Sequence, residues 1–234
     1  SSSGRPVPGK PTHVNNAPRI ALIHALAHSI APINEAFERL WPQAGRMNLL
    51  DDSLSADLAR RGTLDEAMTR RFIDLADYAV GTGAHGILFT CSAFGPCIEQ
   101  AALRHRALPV LKPNEAMIEQ ACAIGGRIGL IASFEPTLRS MPPEFPPHVQ
   151  LELECVPQAL AALDRGDTEG HDQAVREAAR RLAARHCDAI ALAQFSMARA
   201  APLLRPELAT PVLTTVDCGV AAMARALALP RAKG

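Results

Sequence analysis

Two apolar segments recur in the same order along this chain, and that repetition limits its possible folds more than any other feature. Arg19-Ile-Ala-Leu-Ile-His24 resembles Arg127-Ile-Gly-Leu-Ile-Ala132, 108 positions later. Gly86-Ile-Leu-Phe-Thr-Cys91 resembles Ala189-Ile-Ala-Leu-Ala-Gln194, 103 positions later. Buried parallel strands all look alike, so chance similarity is the competing account of either pair alone. Shared order and a nearly shared offset point instead to one α/β unit used twice.

Short apolar runs separated by amphipathic stretches are the pattern of βαβ units on parallel sheets. Strands are expected at Arg19–His24, Met47–Leu50, Gly86–Thr90, Val110–Leu111, Arg127–Ala132, Gln150–Val156, Ala189–Ala193 and Pro211–Leu213. Helices are expected at Ile33–Leu40, Leu64–Thr82, Ile98–His105, Glu115–Ala123, His171–Arg185 and Gly219–Leu229. Thr63 and Glu66 have the spacing of a capping box for the second of these. The division that follows is a leader at 1–18, a first half of 19–114 plus 211–234, and a second half of 115–210. Ser, Pro, Gly and Asn dominate the leader, which has no apolar stretch, so it reads as disordered and not as a signal peptide.

Lys plus Arg and Asp plus Glu balance at 24 each, which argues against a nucleic-acid or polybasic membrane surface. No apolar run is long enough to span a bilayer. The six cysteines lack CxxC or zinc-type spacing, so free thiols in a reducing, cytoplasmic setting and no metal site are expected. Gly125-Gly126 precedes a strand and is therefore no phosphate-binding turn.

Ligands of open α/β sheets bind beyond the carboxyl ends of strands. That rule selects the loops His24–Ser29, Cys91–Cys97, Ser133–Arg139 and Gln194–Arg199. Cys91 stands out because it follows an apolar strand and precedes a helix, where backbone N–H groups favour a thiolate. Ser92, Ala93 and Gly95 leave room for a carboxylate to approach. Cys91 reads equally well as an inert buried residue. His24 and His28 flank the first loop and either orient a ligand or serve as structural hydrogen-bonders. Asn114 reads as a helix cap, and Asp51 and Asp52 as braces for neighbouring loops. Cys97, Cys122 and Cys155 read as packing residues, and Cys187 lies at the wrong end of its strand.

The segment Ile87-Leu-Phe-Thr-Cys91-Ser-Ala-Phe-Gly95, with Val216-Asp-Cys-Gly-Val-Ala-Ala222 near the end, resembles the aspartate/glutamate/hydantoin racemase superfamily. The likeness runs over nearly all of residues 19–229. It implies two flavodoxin-like parallel-sheet domains related by a pseudo-twofold with a cleft between them, and chemistry on a small carboxylate without cofactor or metal. Members of that family use two cysteines, one to remove an α-proton and one to return it on the opposite face. Here the second position holds Gln194, which neither donates nor accepts a proton near neutral pH but can hydrogen-bond an oxyanion. Cys218, at the start of the last helix, is a candidate substitute and also a plausible packed thiol. The resemblance assigns substrate contacts to Ser133 and Thr137, with His24, Ser92, Ala93, Phe195 and Ser196 lining the same loops.

Three readings stay open: a one-cysteine isomerase, racemase-like enzyme or lyase, including a decarboxylase of a malonate-type acid; a silent carboxylate-binding protein; and an unrelated doubly wound enzyme with Cys91 merely buried. A homo-oligomer is compatible with all three.

Overall fold

The computed structural model describes residues 17–228. The expected leader therefore lies outside the described residues except for its last two positions, as does Leu229 of the expected final helix. Among the described residues, eight parallel strands form two sheets of four. The first contains β1 (Arg19–His24), β2 (Gly45–Leu50), β3 (Gly86–Phe89) and β4 (Val110–Leu111), in the order β2-β1-β3-β4. The second contains β5 (Arg127–Ala132), β6 (Gln150–Cys155), β7 (Ala189–Leu192) and β8 (Val212–Leu213), in the order β6-β5-β7-β8. The register repeats as well. Ile20 pairs with Gly86 in one sheet and Ile128 with Ala189 in the other, each joining the second residue of one strand to the first of the next. The expected doubly wound α/β architecture is therefore present in duplicate.

Central strands β1, β3, β5 and β7 are buried almost throughout, as continuous apolar runs require when helices cover both faces. Connecting the first sheet are α1 (Ile30–Leu40), α2 (Ser53–Arg61), α3 (Glu66–Gly81) and α4 (Gly95–Arg104). Connecting the second are α6 (Glu135–Ser140), α7 (Pro157–Asp164), α8 (Thr168–Ala184) and α9 (Ala201–Leu204). The expected Thr63–Glu66 capping box does not form. Asp65 caps α3 instead, its carboxylate accepting the Met68 N–H at 2.8 Å, with Glu66 already the first helical residue.

The last helix of each unit crosses to the other sheet. Helix α5 (Glu115–Ile124) follows β4 but packs Met117, Ile118 and Ala121 on Ile128, Leu130, Ala189 and Ala191. Helix α10 (Val216–Ala228) follows β8 but packs Val216, Val220 and Met223 on Ile20, Leu22 and Leu88. Gly86 permits this approach: a β-carbon there would stand 2.6 Å from the Met223 sulfur. One expected boundary changes in consequence. Residues 212–213 belong to the second sheet, where Ile190 pairs with Val212, and of the segment 211–234 it is α10 that packs on the first half. The reason is topological, since β8 closes the second unit as β4 closes the first. No described helix is long and apolar enough to cross a membrane.

Candidate active site

Two residues past the end of β3 stands Cys91, and two residues past the end of β7 stands Gln194. These equivalent strand ends meet, so that Cys91, Ser92, Ala93, Phe134 and Gln194 line one cavity between the halves. It measures about 10 Å³, room for one water molecule at most. Beside Cys91 the two halves are closed on each other.

Cys91 is 5% exposed, and its thiol points at the carbonyl oxygen of Ile23, 3.5 Å away. Burial pushes this thiol up to about 12, and hydrogen bonding from the backbone of Ala25 and Thr90 offsets only part of that. The expected thiolate-favouring environment is thus reversed. Helix α4 begins at Gly95 and its N-cap is Phe94, so Cys91 lies outside the first turn to which the helix field is confined, and desolvation of the charged form wins.

Gln194 is 3% exposed and its carboxamide oxygen is held by three donors. They are the Ser133 N–H at 2.6 Å, the Ser133 hydroxyl at 3.2 Å and the Phe134 N–H at 3.0 Å. Only an oxygen can sit where two backbone N–H groups converge, which settles the orientation of the amide. Its Nε2 is buried without a partner. The Ser133 donors expected to receive a substrate carboxylate are therefore already engaged by a side chain of their own half.

Ser92 and Thr137 meet across the halves, hydroxyl to hydroxyl, at 2.9 Å. Thr137 is fully buried and does not line the cavity beside Cys91. Asn114 makes no side-chain cap for α5; its Nδ2 donates to the Ser92 carbonyl at 3.3 Å and to Glu144 at 3.0 Å, bracing the cysteine loop. Asp51 and Asp52 begin the turn into α2, where Asp51 pairs with Arg71 at 3.2 Å.

Several expected contacts lie elsewhere. His24 is fully buried with both ring nitrogens engaged, Nδ1 with the Thr90 hydroxyl at 2.7 Å and Nε2 with Asn48 Oδ1 at 2.8 Å. Burial lowers its pKa, so it stays neutral and braces strand ends instead of meeting a ligand. Phe195 enters the first half's core among Ile20, Leu22 and Leu88, because the turn after Gln194 aims its ring away from the cavity. Ser196 lines a separate groove of about 720 Å³, with Arg39, Arg199 and Asp217. His28 faces that groove also and bonds Asp164 of α7 at 2.8 Å. Cys218 lies in the first turn of α10, is not among the residues lining the Cys91 cavity, and burial raises its thiol pKa too. Cys97 is a core residue with its sulfur 3.5 Å from the Thr69 hydroxyl. Ser55, a lining residue with no signal in the sequence, lies on α2 and donates to the Ala25 carbonyl at 2.9 Å. No motif marks it, since that helix itself was not expected.

Comparison with known proteins adds family and fold. A family model described as Asp/Glu/Hydantoin racemase matches residues 28–223. A search of curated sequences gives no match. Among solved structures, a liganded mutant of arylmalonate decarboxylase is similar at 18% identity, over 90% of this chain and 93% of that one, with a TM-score of 0.62. A glutamate racemase from Bacillus anthracis is similar at 13% identity over 92% and 82%, with a TM-score of 0.72. Allantoin racemase from Klebsiella pneumoniae is similar at 19% identity over 93% and 95%, with a TM-score of 0.62. At such identities the likeness is one of fold.

Proposed function

The chain belongs to the Asp/Glu/Hydantoin racemase family, and from that premise we propose that it is a one-cysteine enzyme working at the carbon beside a small carboxylate, with Cys91 as its proton donor. The observation that carries the reading is the meeting of Cys91 and Gln194, from equivalent strand ends, at one cavity. A general acid must hold its proton at rest, and the buried Cys91 thiol does. Gln194 is neither an acid nor a base near neutral pH, so the proton reaches one face only. An isomerase or racemase-like reaction needs a base as well as this acid. Loss of carbon dioxide from a malonate-type acid needs none, and the raised thiol pKa therefore favours that variant. The carbon–carbon bond breaks, its electron pair remains on the α-carbon as an enediolate, the Cys91 thiol protonates that carbon, and water restores the thiol. Neither variant calls on a cofactor or metal.

The test is incubation of the protein with malonate-type acids, and separately with single enantiomers of amino acids and hydantoins, in heavy water. Deuterium should appear at the α-carbon of one product enantiomer and vanish with Cys91→Ala, whose circular dichroism should match the parent. Exchange of both enantiomers at equal rates, or turnover that survives Cys91→Ala, would sink the reading.

A further inference from the structure

We infer that Gln194 is the second half's contact to the ligand and sets its selectivity, offering its two Nε2 protons to a carboxylate or carbonyl oxygen while its own oxygen bars a second carboxylate from the Ser133 and Phe134 amides. This rests on the reading of the cavity beside Cys91 as the ligand site. A buried N–H without an acceptor is costly, and Gln194 Nε2 is such a group, in a residue 3% exposed that lines the cavity. Rotation cannot relieve it, because exchanging the two ends of the amide would set an NH2 against the N–H groups of Ser133 and Phe134, now bonded at 2.6 and 3.0 Å. An oxygen-bearing ligand would satisfy it.

Parting of the halves leaves this arrangement intact. Gln194, Ser133 and Phe134 all belong to the second half, at the ends of β7 and β5, so none of their three bonds spans the interface. Among the bonds that do span it are Ser92 to Thr137 and Asn114 to Glu144. A ligand reaching the opened site therefore meets a neutral carboxamide on the second half. Backbone donors that would grip an anion are occupied by an oxygen the protein supplies itself. This surface holds one oxyanion, and a second carboxylate directed at the Ser133 loop finds no free donor.

Two substitutions separate the two ends of the amide. Gln194→Glu keeps an acceptor for Ser133 and Phe134 but turns the buried, unpartnered NH2 into a charged oxygen. A residue that merely anchors its loop tolerates this change, whereas a ligand donor does not. Gln194→Ala uncovers the backbone amides. Calorimetric titration with acetate and malonate, on protein verified as folded by circular dichroism, should give at least a tenfold weaker acetate complex for Gln194→Glu. It should give at least a tenfold tighter malonate complex for Gln194→Ala than for the parent. Parent-like acetate binding by Gln194→Glu, no malonate gain in Gln194→Ala, or no binding of either probe by any of the three proteins overturns the inference. Turnover that depends on Cys91, together with unchanged binding in both Gln194 variants, refutes this inference alone. The expected binding pattern without turnover refutes the acid–base reading alone.

Discussion

Removal of one thiol should change how this protein responds to alkali, by an amount set by the burial of Cys91. In an unfolded chain the group ionises around its ordinary 9.0, but in the closed cavity it holds its proton to about 12. The folded state thus disfavours the thiolate, and the sign follows. The stabilisation is whole below pH 9 and is lost progressively as pH rises from 9 to about 12. Full loss amounts to about 4 kcal/mol, from 1.36 kcal/mol per tenfold change in ionisation. Cys97, Cys155, Cys187 and Cys218 are also raised by burial, and they remain in a Cys91→Ala variant, so the difference between the two proteins isolates Cys91. Urea denaturation across the alkaline range should show the gap in stability between parent and variant shrinking as pH climbs. Difference absorbance of the thiolate tests the same statement without a reagent having to reach the buried sulfur. An absorbance step centred below pH 9 in the parent and missing from Cys91→Ala would refute the argument, and with it the choice of Cys91 as resting acid.

Two further outcomes rest on other side chains. Phe195→Ala should destabilise the protein by about 3–5 kcal/mol, the usual cost of emptying a buried aromatic site, as read from urea midpoints; a change of less than about 1 kcal/mol would contradict its place in the first half's core. His24, neutral in its buried setting with a pKa below 6.5, contributes stability that is whole above pH 6.5 and declines as pH falls below it, so His24→Asn should flatten the decline in melting temperature between neutral and mildly acid pH, and an unchanged acid limb would count against it.

The two sheets were legible because their strands are apolar runs with polar ends. Arg19–His24 and Arg127–Ala132 have in the fold the same bounds as their apolar runs in the sequence. Helix α2 escaped because Asp57, Arg60 and Arg61 hide the short apolar face of Leu54 and Leu58. At the site, position was readable and environment was not. The repeat placed Cys91 and Gln194 at equivalent strand ends, but the ionisation of a thiol depends on how far the halves close over it. The small residues Ser92 and Ala93 beside Cys91, which suggest room for an anion, instead lie buried at the closed cavity. The bond from Gln194 to the Ser133 loop links residues 61 apart, and no local pattern announces it. The choice between a helix folding back on its own sheet and one crossing to the other likewise lies in tertiary packing.

That crossing of α5 and α10 bears on how the chain is born. Synthesis delivers the first sheet early, and domains ordinarily fold as they emerge. Here one face of that sheet, carrying Ile20, Leu22 and Leu88, is covered by Val216, Val220 and Met223, which leave the ribosome after the whole second sheet. The first half must therefore wait, partly uncovered, for α10. Neither duplicate can finish without the other, so a chain cut between α5 and β5 should yield two incomplete pieces that fold only when reunited.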